Sequence, residues 1–224
     1  MSNPWELKPS TGGEAPPAIE ADNYPAVLIC LVDLGTQEND YKGVIGYRRE
    51  IFLAWEIPSV EGSPVLGRAF SANLNAKSNL AKWLAALSKE GKVPTEGVNL
   101  LDLLGKPCLL QVSAHSKKTD NGERTYNSLD SASRLPKGMP TPLPKRKPLV
   151  VNLDDQDIPD WLPRSYGRLL SEIRSECAEK HSTTMAKFEA WKKAPRKPAG
   201  GPGGNGRPHA VDSVEPNEDD EIPF

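Results

Sequence analysis

A mainly β fold is predicted: a small five-stranded barrel with one helix between its third and fourth strands, then a C-terminal helical extension and a disordered acidic tail. Three observations carry this expectation. Five apolar or alternating runs, bounded by Gly, Pro, Asn and Asp, fall between residues 23 and 150. One stretch between the third and fourth runs has a helical repeat. After residue 193 large apolar side chains almost vanish.

Residues 1–22 are rich in Pro, Gly and small polar types and are expected to be mobile. Ala26–Leu34 is an unbroken apolar run, a strand buried on much of both faces. Gly35–Gly46 is polar, carries Gly43 and Gly46, and reads as a loop. Tyr47–Ile57 alternates, with Tyr47, Ile51, Leu53, Trp55 and Ile57 on one face and Arg48, Glu50, Phe52, Ala54 and Glu56 on the other. A turn at Glu61–Pro64 leads to a third strand at about 65–74. Leu80, Trp83, Leu84 and Leu87 repeat at i, i+3, i+4 and i+7 in a helix of roughly 76–89, with Asn75 or Ser78 as cap and Gly91 past its end. Leu100–Leu104 adds a short helical turn. Pro107–His115 is a fourth strand, joined through Asn121-Gly122 to a fifth at Arg124–Ser133. This order is that of an OB-fold, which binds oligonucleotides on strands 2–3 and with the 1–2 and 4–5 loops, here residues 35–46 and 116–124.

Beyond the domain at 23–150, residues 151–193 are expected to be a helical extension, its one helical segment at about 163–193, with Leu169, Leu170, Ile173 and Cys177 at helical spacing; whether it packs on the barrel is left open. Residues 194–218 are a Pro/Gly-rich linker expected to be disordered, and 219–224 a separate tip. The net charge of −2 conceals an asymmetry. Six of the 30 acids lie after residue 207, where no Lys or Arg occurs, so residues 1–207 hold 28 bases against 24 acids. A mildly basic body with a detached acidic tail suits a polyanion binder.

Several classes are disfavoured. No apolar run reaches a membrane span, and Met1–Trp5 lacks the basic and apolar regions of a signal peptide, so a cytoplasmic protein is expected. Cys30, Cys108 and Cys177 are far apart, with no CxxC, and read as buried thiols rather than zinc ligands. His115, His181 and His209 are scattered. Gly105-Lys106 is no phosphate loop, because Pro107 follows and Leu100 replaces its first Gly. Asp154, Asp155 and Asp157 could hold Mg²⁺ in a nuclease, but lack a partner motif and read as an acidic loop. A binding protein without cofactor or catalytic residues is expected.

The tip, Asp219-Asp220-Glu221-Ile222-Pro223-Phe224, places carboxylates before a short apolar end whose Phe carries the free α-carboxylate. Such a peptide suits a pocket with one apolar slot and one Arg or Lys. Ile-Pro-Phe ends a chain by chance only about once in 10,000 at average usage, which favours a recognition tip over a solubilising tail. It resembles the acidic tip of bacterial single-stranded DNA-binding proteins, departing by Glu221 where the common form has Asp. That resemblance implies recruitment of replication, recombination or repair proteins. In the body, Leu34-Gly35-Thr36-Gln37, Lys77-Ser78-Asn79-Leu80, Leu104-Gly105-Lys106-Pro107-Cys108 and Leu135-Pro136-Lys137-Gly138 resemble a group of bacteriophage OB-fold proteins read as single-stranded DNA-binding or replication accessory proteins. This likeness covers about residues 24–155 and implies a role in an infected host. The body is not similar to bacterial single-stranded DNA-binding proteins, so their tetramer is not implied; self-association is left open.

Single-strand binding needs cations for phosphates and aromatic faces for bases. The candidates from the two loops and adjoining strands are Tyr41, Lys42, Arg48, Phe52, Arg68, Lys117, Lys118, Arg124 and Tyr126. Phe52, beside Arg48 on the more polar face, reads as a stacking residue; Tyr126 fits stacking or core equally. Trp55 and Trp83 read as core, and Arg49 as a barrel-end residue. Lys145-Arg146-Lys147 either extends the phosphate track or is a solvated connector. The leading expectation is a protein that coats single-stranded DNA. A second is an interaction protein that captures partners of the host's single-strand binder through the tip. A third, annealing or metal-dependent cleavage, rests on Asp154–Asp157 alone.

Overall fold

A computed structural model of the chain describes residues 18–195 except 42, 120, 121 and 156. Within them the fold is mainly β, a six-stranded sheet with three α-helices. The strands are β1 (Asp22–Tyr41), β2 (Val44–Glu56), β3 (Val65–Ser71), β4 (Pro107–Thr119), β5 (Gly122–Arg134) and β6 (Leu149–Val151). The helices are α1 (Asn79–Leu87), α2 (Leu170–Ser175) and α3 (Ser182–Lys193), with a 3₁₀ turn at Leu100–Leu103. The sheet runs β3-β2-β1-β4-β5, all neighbours antiparallel, while β6 pairs in parallel with Cys30–Val32 of β1. Among the described residues no backbone ladder joins β3 to β5. They meet instead where Arg68 Nη1 donates to the Leu129 carbonyl at 2.6 Å.

One core fills the side of the sheet that α1 covers. Leu53 and Trp55 of β2, Phe70 of β3, Leu110 and Val112 of β4 and Leu129 of β5 meet Leu80, Trp83 and Leu84 of the helix. Trp83 lies 5.2 Å from Trp55 and 5.2 Å from Phe70, centroid to centroid. Both tryptophans are core, as their faces predict. Of the two candidate caps, Ser78 serves: its Oγ accepts from Ala81 N at 3.1 Å.

The expected loop at 35–46 is corrected. β1 and β2 continue as a paired ribbon to Tyr41↔Val44, with Gly35 at a register irregularity rather than in a loop. Gly35 has φ +72°, and a Cβ there would stand 3.0 Å from Cys177 Sγ, so both conformation and space call for glycine. The 116–124 loop is corrected likewise: β4 and β5 pair out to Thr119↔Gly122, and only the turn between them lies outside the described residues. The N-terminal segment is tied down from Ile19, whose N–H and carbonyl both bond the Asn127 amide at 2.8 Å.

The extension packs on the sheet. Leu149 and Val151 of β6 and Leu170 and Ile173 of α2 cover the second face of β1 and β2, making a further core with Cys30, Val32, Leu34, Phe52 and Ala54. Its expected single helix is two, because the chain leaves helical geometry after Ser175 to give Ala178 N–H to the Thr36 carbonyl at 2.7 Å. Two arginines anchor the cover, Arg174 buried and Arg146 partly exposed. Arg174 Nη2 donates to the carbonyls of Asn152 (2.5 Å), Leu153 and Asp155 (3.0 Å). Arg146 pairs at 2.6 Å with Glu56, which is fully buried and also accepts from the N–H groups of Lys145 and Arg146.

Candidate nucleic-acid interface

An OB barrel receives nucleotides on strands 2–3; here the face of β2 turned away from α1 is occupied by the chain itself. Phe52 is 0 % exposed, so its expected exposure is corrected: Val151, Leu170 and Ile173, about a hundred residues away in sequence, cover the face that looked polar from Arg48 and Glu50 alone. The Phe52 ring lies across β3, since a Cβ at Gly67 would fall 2.2 Å from its Cζ.

The β1–β2 ribbon neutralises its own charges. Arg48 Nε pairs with Glu50 at 2.8 Å, and Arg49 with Asp33 at 2.6 Å. Burial pushes the Glu50 carboxyl up, opposed by the Arg48 charge. Tyr47 donates to Glu38 at 2.7 Å and is packed by Phe188 and Trp191 of α3 at 5.3 and 5.6 Å. That hydrogen bond, with burial and the Glu38 charge, raises its pKa to about 12. The Tyr41 side chain and Lys42 lie outside the described residues, as does the tip at Asp219, Asp220, Glu221, Ile222, Pro223 and Phe224.

The β4–β5 ribbon differs. Register and strand alternation put His115/Tyr126 and Lys117/Arg124 on one face, and Ser116/Thr125 and Lys118/Glu123 on the other. Lys117 and Arg124 are exposed like charges directly opposite one another, an arrangement that opposes pairing unless an anion bridges it. Beside them the His115 and Tyr126 rings stack at 5.4 Å with 28° between planes, and His115 Nε2 is 2.9 Å from Ser128 Oγ. Lys118, on the reverse face, has Glu123 opposite. His115 was missed as a site residue because its partner in register is eleven residues away; only the pairing brings the two rings together.

Arg68 lies at the root of this ribbon. Its guanidinium is 5.8 Å from the centroids of Phe70 and Trp83 and bonds the Leu129 carbonyl, three residues from Tyr126 on β5. It therefore joins strands first and presents charge second. A cleft of about 230 Å³ beside it, between α1 and β5, includes Lys82 and Asp130. It falls below the roughly 300–1,000 Å³ usual for small-molecule sites.

The structure thus gathers Lys117, Arg124 and Tyr126 with His115, keeps Arg68 at their base, and separates Arg48 and Phe52 from them. Because Asp22 pairs with Val112 in antiparallel β1 and β4, the two ribbon ends run off opposite ends of that ladder. Arg146 is a partner of buried Glu56 rather than a phosphate contact or a solvated connector. The Asp155 carboxylate accepts from the Asn152 backbone at 2.6 Å, and among the described residues no group of three or more His, Cys, Asp or Glu could hold a metal ion. Cys30, Cys108 and Cys177 are buried free thiols, and burial pushes Cys30 and Cys108 to about 12. No described helix is long and apolar enough to cross a membrane. No protein-family model matches the chain, and no curated protein does.

Proposed function

We propose that this is a single-stranded DNA-binding protein that coats unpaired DNA during phage replication or recombination in the host cytoplasm, and that its tip recruits replication or repair proteins. In this reading the curled sheet is an OB-type barrel, with Arg68 bridging β3 to β5 in place of a ladder. Support comes from the strand order, the helix between β3 and β4 and the core that α1 closes over one side of the sheet. The observation that carries the function is the exposed Lys117/Arg124 pair beside the His115–Tyr126 stack. Phosphates would relieve the cation repulsion while bases extend the ring stack. Anisotropy of a labelled oligo-dT, titrated with the full chain and with a K117A/R124A/Y126A variant, tests it. Binding by the first and at least tenfold weaker binding by the second is expected; equal affinity removes the ribbon from the account.

One observation favours the second reading, an interaction protein with little DNA affinity: the chain covers the barrel face that usually receives DNA. Deleting Ile222–Phe224 separates the two. DNA binding survives the deletion in the first case, strengthened slightly because the tail competes with phosphate. In the second, partner capture is the only activity and is lost.

A further inference from the structure

The cover on the β1–β2 face carries a turn of unusual construction. Ser165 and Arg168 form a two-bond bridge, with N···O distances of 3.0 and 2.9 Å, closing a two-residue turn at Tyr166-Gly167. Both central residues have positive φ, +52° and +70°, the requirement of a primed turn. Glycine or asparagine fills the first of these positions at little cost, and a tyrosine does not. Of the two non-glycine residues with positive φ among those described, the other, Ser63, is buried; Tyr166 is 50 % exposed. The turn leaves this large aromatic side chain half exposed, and backbone strain of this kind persists where a site uses it.

Two arginines flank it. Arg164 is exposed and reaches the Gly167 carbonyl at 3.3 Å. Arg168 pairs with Glu176 at 2.7 Å, both side chains about half exposed, so a phosphate can compete for it. A half-exposed aromatic with an arginine two residues to either side is the combination that single-strand recognition uses, stacking for the base and cations for its phosphates.

We propose that the Arg164–Tyr166–Arg168 turn is a second contact for single-stranded DNA, taking one base on Tyr166 and the adjoining phosphates on the arginines. The proposal rests on the single-strand reading above. It gives the covered face of β2 a role: the cover that buries Phe52 supplies a replacement aromatic.

Tyr166→Gly tests this with an unusual signature, because glycine relieves the strain while removing the ring. The variant should melt no lower than the parent and bind a labelled 30-nucleotide oligo-dT at least about fivefold more weakly, the lower bound for one lost stacked base. A 5-iodouracil oligonucleotide should photocrosslink to the peptide containing Tyr166. If the parent binds and Tyr166→Gly binds equally without a Tyr166 crosslink, this turn is not a DNA contact. If the parent itself fails to bind, the single-strand reading fails first, and this inference with it.

Discussion

Phe52→Ala distinguishes a buried ring from a stacking platform. Phe52 is fully buried among Val151, Leu170 and Ile173 and lies across Gly67, so no backbone motion short of lifting the cover can refill its volume. Truncating such a ring costs roughly 3–5 kcal/mol. For a domain of this size each kcal/mol shifts the melting temperature by about 2–4 °C, which places the fall at roughly 6–20 °C. Circular dichroism melting measures the fall. Oligo-dT anisotropy, taken where the variant is still folded, measures the other half of the argument. Affinity should change less than about twofold, against the roughly fivefold or more that loss of a stacked base produces. A melting shift under about 2 °C together with a tenfold loss of DNA affinity would show the ring exposed and the cover misplaced.

Arg146→Ala should destabilise by about 3 kcal/mol, since it strands fully buried Glu56 with backbone donors but no counter-charge; E56Q in the same chain should restore part of the loss in a denaturant titration. Lys117→Ala and Arg124→Ala should each flatten the log K against log salt slope for oligo-dT by about 0.7, whereas Lys118→Ala, with Glu123 opposite, should leave it unchanged. Tyr47 holds its proton to about pH 12 in the folded chain, above its unfolded value. Its stabilising contribution is therefore complete below about pH 10 and is lost as pH rises toward 12; Tyr47→Phe should remove that part of the decline in denaturant midpoints across this window.

The elements that repeat in sequence were legible. α1 announced itself by Leu80, Trp83, Leu84 and Leu87, its cap by Ser78, and the strands by their apolar runs, though ends moved by several residues. The ribbons were read as loops for a physical reason. Residues 35–41 and 116–119 are mostly polar or small, so they have no apolar alternation to betray a strand, and the α3 side chains that pack on the β1–β2 ribbon lie about 140 residues away. β6 is three residues long and too short to show a period. Phe52 was misjudged because Arg48 and Glu50, its sequence neighbours on that face, are charged and pair with each other, while its cover comes from Val151, Leu170 and Ile173. Glu56 and Arg146 are ninety residues apart, and nothing local marks either as the other's partner. Of the interface, Lys117, Arg124 and Tyr126 were legible as residue types in a 4–5 connection; His115 needed the strand register, and Tyr166 needed the turn's positive φ.

Competition between single-stranded and duplex oligonucleotides of one sequence, for the full chain across a salt series, bears most directly on what this protein grips. The single strand should win at every salt concentration, with affinity falling as salt rises. Preference for duplex, or no binding of either up to about 100 µM in low salt, contradicts the account, whatever the tip is found to recruit.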